Sequence, residues 1–157
     1  MLKLFYRFSI LGLCLLLLTN PIHAQMADAQ AHIRIVEIEE EIGDVQVKYG
    51  NEDEWKPAEQ GMQLTEKCEL KTGTDSTAVL LLDENGASGR VDVSPNTHLR
   101  ITELQEEEDA KRTMLDLALG QVLVQAEKLK GKSSFQVRTP TATTSVRGTV
   151  YQIRVEE

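Results

Sequence analysis

The sequence predicts an all-β fold of about ten to twelve short, mostly antiparallel strands, arranged as a sandwich, a roll or a barrel. Apolar and polar residues alternate over many short runs, and this period of two is typical of strands with one buried face. Turn-forming residues recur roughly every 8–12 positions, a spacing typical of meanders of short strands. After residue 24, no stretch of the sequence has the apolar spacing of an amphipathic helix.

Alternating runs place the predicted strands along the chain from residue 32 onwards. Glycine, asparagine and proline turn signals separate the runs, for example at residues 43–44, 72–75, 83–86 and 94–97. Each apolar set is expected to face the core, while the polar residues between its members, such as His32 and Arg34, face solvent. The sets are Ile33 and Ile35; Val36 and Ile38; Val45, Val47 and Tyr49; Cys68, Leu70 and Thr72; Val91 and Val93; Leu99 and Ile101; Leu115, Leu117 and Leu119; Val122, Val124 and Ala126; and Phe135, Val137 and Thr139.

Four segments depart from simple alternation. Residues 76–83 include four consecutive apolar residues, so this strand is expected to be buried on both faces. Gly120 predicts a turn or a bulge. Residues 105–112 are the most charged segment and predict an exposed loop or hairpin tip, while residues 128–134 predict a basic, flexible loop.

The C-terminal stretch, residues 135–155, has the clearest pattern in the chain. A first strand is expected to end at Pro140, because proline has no N–H to donate to a neighbouring strand. After a run of small and hydroxyl residues, the apolar positions change parity between Val146 and Tyr151. Such a change requires a bulge, a bend or burial on both faces, and Gly148 lies where the backbone would have to accommodate it.

The N-terminus predicts export from the cytoplasm. Residues 1–24 have a positive start with Lys3 and Arg7, a short apolar run, a helix-breaking Pro21 and a small residue, Ala24, at a plausible cleavage point. We therefore expect a signal peptide over residues 1–24, a flexible lead-in over 25–31 and a single β-domain over 32–157. The alternative is that the leader is retained as a membrane anchor. With cleavage, the expected location is the periplasm, the cell surface or the medium.

Composition limits the partners that the chain can bind. The chain has 17 basic and 25 acidic residues, for a net charge of −8. Nucleic acids and anionic membrane surfaces both need a basic footprint, so neither is the expected main partner. Cys14 lies in the leader, which leaves Cys68 as a lone thiol that we expect to be buried and structural.

The sequence offers no set of residues with the spacing of an active site. His32 and His98 occupy polar positions of separate predicted strands, and no spacing of these residues or Cys68 matches a metal-binding motif. No nucleophile motif and no phosphate-binding glycine loop occurs. Trp55, the one tryptophan, is expected to anchor on a sheet face, the alternative being a ligand-stacking role. We therefore expect a protein that is not an enzyme and holds no cofactor and no metal.

The C-terminal stretch resembles the closing motif of the FecR domain family of bacterial envelope proteins. In that family the motif is T-P-x-A-x-x-x-V-R-G-T-x-[FY]-x-[VI], and the resemblance extends upstream over residues 42–155. The matching motif residues, without gaps, are Thr139, Pro140, Ala142, Val146, Arg147, Gly148, Thr149, Tyr151 and Ile153. The resemblance implies a structural role for this motif, as the element that closes the β-domain.

The resemblance also implies a function in the envelope. The founding members of the family that this chain resembles are transmembrane regulators, which pass a signal from an outer-membrane transporter to a cytoplasmic sigma factor. This chain is expected instead to be a stand-alone exported FecR-like domain that binds or signals through protein contacts, for instance by accepting a strand at an exposed sheet edge. The alternatives are an envelope scaffold or carbohydrate-binding module, or a membrane-anchored signal transducer. The sequence leaves the partner and the oligomeric state open.

Overall fold

The computed structural model describes residues 33–50, 52–108, 110–148 and 150–156. The predicted signal peptide, the lead-in, His32 and Thr149 lie outside the described residues. Among the described residues, no helix is long and apolar enough to cross a membrane.

Over these residues the chain forms twelve strands and one short 3₁₀ turn at Glu84–Gly86. The prediction of an all-β fold is therefore confirmed. The strands are β1 (Val36–Ile42), β2 (Val45–Lys48), β3 (Lys56–Pro57), β4 (Gln63–Leu64), β5 (Glu69–Thr72), β6 (Thr77–Leu82), β7 (Gly89–Val93), β8 (His98–Glu107), β9 (Ala110–Ala126), β10 (Ser134–Arg138), β11 (Thr143–Val146) and β12 (Val150–Val155).

The strands form a curled sheet, a half-barrel, with the order β3-β2-β5-β8-β9-β7-β6-β1-β4. β10 and β12 join this sheet by pairing with β9, and β11 pairs with β10. All pairs are antiparallel except β9 with β10, which run parallel. The predicted, mostly antiparallel wiring is confirmed.

β9 is the element on which the sheet is built. Its N-terminal half pairs with β8 and β10, whereas its C-terminal half pairs with β7 and β12. Of the turn or bulge predicted at Gly120, the turn is not formed, because β9 runs through this residue. The irregularity lies two residues earlier, since Leu117 and Leu119 pair with consecutive residues of β8 and Ala118 has no partner there.

The core fills the inside of the half-barrel. It consists of the alternating residues of both halves of the sheet, with Phe135 as the largest fully buried side chain. β6 also alternates: Ala78, Leu80 and Leu82 are buried, whereas Val79 and Leu81 are only half-buried. The predicted burial of residues 76–83 on both faces was therefore wrong, because the sheet has one core side only.

The highly charged segment 105–112 lies at the end of the β8–β9 hairpin, so the prediction of a hairpin tip is confirmed. Both strands extend further than expected, to Glu107 and from Ala110, so the tip itself is short. Buried Leu104, which belongs to the core cluster, anchors the base of this extension, and Ala110 is buried at its tip.

Candidate protein-binding edge

β12 is an edge strand. It pairs with β9 along its whole length, from Val150 opposite Gln125 to Val155 opposite Gly120. No other strand among the described residues pairs with β12. Every second backbone N–H and C=O of an edge strand points away from the sheet, so β12 presents a row of groups that another strand can bind.

Apolar side chains at the start of β12 accompany this open backbone. Val150 is 63% exposed and Tyr151 is 44% exposed, although most large apolar residues in the described part of the chain are buried. Ile153, further along, is buried and ties the strand to the core. β12 is thus anchored at its middle and offers apolar surface beside its free edge, the combination that strand-adding partners use.

The β10–β11 hairpin that precedes β12 is closed by Thr139. The backbone N–H of Thr139 donates to the carbonyl of Ala142 at 2.7 Å, and the N–H of Ala142 donates to the Thr139 hydroxyl at 3.1 Å. Pro140 lies within this turn, where its missing N–H costs no ladder hydrogen bond. β11 then pairs with β10 and ends at Val146, which is buried opposite Phe135.

The change of parity is made by a turn between two strands, and no bulge within a strand is needed. β11 ends at Val146 and β12 begins at Val150. Gly148, in the turn, has a φ of +65°, and a Cβ on it would lie 3.2 Å from Cα of Lys128. Arg147, next to it, is exposed. Thr149 lies outside the described residues.

Two open clefts flank the C-terminal end of β12, and both are lined by Arg154, Val155 and Glu156. A cleft of about 760 Å³ adds the turn at residues 94–96 and the Gly120 region of β9. A second cleft of about 460 Å³ adds Thr139 and Pro140. The structure therefore brings the start of the C-terminal motif, at Thr139, next to the end of β12.

The other residues that the sequence singled out do not converge on a site. Cys68 is buried in the core, where its sulfur accepts a hydrogen bond from the N–H of Thr65 at 3.4 Å. His98 lies on the outer face of the sheet, with its Nε2 2.8 Å from Oε2 of Glu69. Within the described part of the chain, no three His, Cys, Asp or Glu side chains are grouped as a metal site would require.

His98 was expected to be an exposed strand residue, but it is half-buried because it packs against Trp55 and Glu69. The Trp55 and His98 rings meet edge to face at 5.8 Å between centroids. The Nζ of Lys71 lies 4.0 Å from the Trp55 centroid, so a stacking ligand would have to displace this ammonium. Burial raises the pKa of Glu69, but hydrogen bonds from His98 and Lys48 outweigh it, so that the pKa lies below its ordinary value.

A buried ion pair at the opposite end of the half-barrel was missed by the sequence prediction. Arg34 was expected in solvent, yet it is 4% exposed, whereas its neighbour Ile33 is 77% exposed. The Arg34 guanidinium donates to both carboxylate oxygens of Asp83, at 2.8 and 3.1 Å. Ser88 and Lys111 also donate to that carboxylate. The available signal was the parity of Val36 and Ile38, which places residue 34 on the core side.

The fold and its open edge define an all-β module with a strand available for pairing. A family model described as "FecR protein" matches residues 69–157, more than half of the chain. The chain therefore belongs to the FecR family, which is associated with the cell envelope and with signalling. The match begins at β5, so the upstream part of the suspected resemblance, from residue 42, lies before it. Searches of curated proteins and of solved structures found no match.

Proposed function

We propose that this chain is a non-enzymatic envelope module that signals through protein contacts, and that β12 is its contact strand. The observation that carries this proposal is the free edge of β12, six residues long, with Val150 and Tyr151 exposed beside it. Among the described strands that pair on one side only, β3 and β4 have two residues each and β11 has four. β12 is therefore the longest of the strands that pair with a single neighbour.

The partner that fits this edge is an extended segment of another protein. Main-chain hydrogen bonds to β12 would provide affinity, and contacts of the partner's apolar side chains with Val150 and Tyr151 would provide specificity. Natural edge strands usually carry devices that prevent such pairing, including proline or an outward lysine. β12 contains neither residue.

A matched pair of lysine substitutions tests the proposal. Val150 and Ile42 are both exposed apolar strand residues, 63% and 53% exposed, but Ile42 ends β1, away from β12 in the sheet order. We expect Val150→Lys to weaken capture of a partner from envelope extract about tenfold, equivalent to roughly 1.4 kcal/mol. Ile42→Lys should leave capture unchanged, and both variants should unfold as the wild type does, because neither side chain is buried.

Photocrosslinking locates the contact directly. A benzophenone amino acid at Tyr151 should form a protein adduct in envelope preparations, and the same group at Ile42 should not. Equal crosslinking from both positions would contradict a specific edge. Retention of the chain on peptidoglycan or other glycans without any protein adduct would favour the scaffold or carbohydrate-binding alternative.

The proposed location is the periplasm or the cell surface, reached after cleavage behind Ala24. It is supported by the pattern of residues 1–24 and by the envelope association of the family. N-terminal mass spectrometry of the native protein should find Gln25 as the first residue. An intact leader would instead identify a membrane-anchored form.

A further inference from the structure

The turn that leads into β12 and the loop that follows β9 carry positive charges that have no acidic partner among the described residues. Four cationic residues here are all exposed: Lys128, Lys130, Lys132 and Arg147. Within the described residues, none of them has a carboxylate oxygen within 4 Å. Most other cations of the described chain are paired, namely Arg34, Lys48, Lys56, Arg90, Lys111, Arg112, Arg138 and Arg154.

The fold holds Arg147 close to Lys128. The β9–β12 pairing ends with Val150 opposite Gln125, and Arg147 and Gly148 lie in the turn between β11 and β12. A Cβ on Gly148 would lie 3.2 Å from Cα of Lys128, so this turn passes beside the Lys128 backbone and brings Arg147 near Lys128. Two like charges near each other repel, and an anion bound between them would offset that repulsion.

The loop that follows Lys128 keeps the other two lysines near this corner. The N–H of Ser133 donates to the carbonyl of Lys130 at 3.1 Å, which folds the loop back on itself. We define Lys128, Lys130, Lys132 and Arg147 as the basic corner. It is a local exception in a chain whose net charge is −8.

Acidic residues limit where an anionic ligand can bind. A cleft of about 370 Å³ lies between the loop and the β8–β9 hairpin, and Lys128 and Lys130 line it. Its charge is mixed, because its lining also includes Glu106, Glu107, Glu108 and Glu127. Arg147 is not part of that cleft. The uncompensated charge therefore adjoins the start of β12, and the cleft is a poorer place for an anion.

We propose that the segment that pairs with β12 is acidic at one end, and that its carboxylates bind the basic corner. This inference rests on the proposed function and specifies the chemistry of the partner. Arg147 lies in the turn just before β12, three residues from Val150, so a segment that pairs with β12 can place its end at the basic corner. An anionic lipid surface fits less well, because the rest of the chain is acidic and would be repelled by it.

Selection from a random nine-residue peptide library on the immobilised protein tests this inference. Wild-type protein should enrich peptides that combine alternating apolar residues with two or more Asp or Glu at one end, at least about fivefold over the starting library. Arg147→Glu and Lys128→Glu should abolish the acidic preference while still selecting apolar, extended peptides. Lys67→Glu, a charge reversal at an exposed residue outside the corner, is the matched control and should keep the acidic preference.

Each outcome separates the two proposals. Apolar peptides without acidic enrichment, or an acidic preference that survives Arg147→Glu, would overturn the basic corner and leave the β12 edge intact. Peptides whose binding is insensitive to Val150→Lys would overturn the edge itself. Sedimentation with phosphatidylglycerol vesicles that depends on Arg147 and Lys128, without acidic peptide enrichment, would assign the corner to lipid and overturn the acidic-segment proposal.

Discussion

At the scale of single residues, Gly120 is the described glycine whose position for a Cβ lies nearest to neighbouring backbone atoms. The turn at residues 94–97 packs directly onto it, and the N–H of Gln121 donates to the hydroxyl of Thr97 at 3.0 Å. Gly120 has a φ of +94°, and a Cβ on it would lie 2.5 Å from Cα of Thr97 and 2.7 Å from the carbonyl oxygen of Asn96. Any side chain at residue 120 would therefore displace the backbone of the 94–97 turn and would also strain its own backbone at positive φ.

We expect Gly120→Ala to destabilise the protein by roughly 3 kcal/mol or more, from strain at positive φ and from the clash with the turn. Gly61→Ala is the control, because Gly61 has a similar φ of +82° but open space around it. Its cost should be about 1 kcal/mol, from backbone strain alone. Urea unfolding measures both, and equal losses would show that the close approach does not matter.

Asp83 also has an unfavourable backbone conformation, and its carboxylate has a structural role. Its φ of 61° and ψ of 177° lie in a region that glycine normally occupies. Burial raises the pKa of Asp83, but hydrogen bonds from Arg34, Ser88 and Lys111 outweigh this effect and hold the pKa below its ordinary value. The ionised carboxylate is needed because Arg34 would otherwise be a buried charge without a partner.

The lowered pKa of Asp83 predicts acid sensitivity. A carboxyl with a lower pKa in the folded state contributes stability above its unfolded pKa, about 3.9, and loses it as the pH falls through the folded value. The free energy of unfolding should therefore decrease as the pH falls below about 4. Asp83→Asn should cost about 3–5 kcal/mol at pH 7 and flatten this dependence.

Glu84→Gln is the matched control for this measurement. Glu84 is the exposed neighbour of Asp83 and has no ion-pair partner within the described residues. Its variant should stay within about 0.5 kcal/mol of the wild type and keep the acid sensitivity. An unchanged pH dependence in Asp83→Asn would assign the acid response to other carboxylates.

At the scale of elements, the outer face of five strands carries a ladder of alternating charge. From β2 to β10 the directly opposed residues are positive and negative in turn, and Arg100 lies between Glu69 and Asp116. The outer pairs are in contact, Lys48 with Glu69 at 3.1 Å and Arg138 with Asp116 at 2.8 Å. Opposite charges on facing strands stabilise one register and disfavour shifted ones.

We expect Arg100→Glu to destabilise the sheet by about 1–2 kcal/mol at low salt, because it would put three acidic residues in one row across β5, β8 and β9. The loss should shrink in 1 M NaCl, where exposed charges are screened. Lys132→Glu, a charge reversal in a loop, should cost less than about 0.5 kcal/mol. Urea unfolding at the two salt concentrations distinguishes them, and a salt-independent loss would mean that packing of Arg100 matters more than its charge.

At the scale of the whole molecule, β9 makes the two halves of the sheet one unit. β9 pairs with β8 and β10 in one half of the sheet and with β7 and β12 in the other. Because both halves contain part of β9, unfolding of β9 in one half would disturb the other half. The core is continuous between them, since residues of both halves form one apolar cluster. Residues 33–156 are therefore expected to unfold together.

Cooperative unfolding can be measured with two probes. Trp55 lies on the outer face of the β2–β5–β8 region, so its fluorescence reports on one half of the sheet. Far-UV circular dichroism reports on all strands. The two urea transitions should coincide, as in a two-state protein. Separate midpoints would show that β9 does not couple the halves.

Much of the fold could be predicted from the sequence, because alternation is a local signal. Most residues of the inward sets of β2, β5, β7, β9 and β10 are buried as predicted, and Cys68 is buried with them. The exceptions, at the ends of the sets, are half-buried: Tyr49, Leu119, Ala126 and Thr139. Predictions of burial were wrong where the contact that decides burial is with a residue distant in sequence. The pattern of Ile33 and Ile35 predicted Arg34 in solvent, but Asp83, 49 residues away, draws its guanidinium inside.

The candidate edge could be predicted only in part. The FecR-like motif identified residues 139–153 as the closing element of the domain, but a motif does not show which strand has no neighbour on one side. The same limit applies to the basic corner, because Lys128 and Arg147 are far apart in sequence and come near each other only where the Gly148 turn passes the Lys128 backbone. The uncompensated charge of the corner depends on which carboxylates fold near it.

The sequence by itself determined the all-β class, the membership of the FecR family and the inward-facing residues of most strands, since each follows from short-range pattern. The tertiary structure alone decided that β9 passes through Gly120 as one strand, that β12 has an open edge, and that the Gly148 turn brings Arg147 near Lys128. The physical reason is that strand pairing is a non-local interaction. A strand's residues specify which face is buried, whereas its neighbours depend on how the whole chain closes.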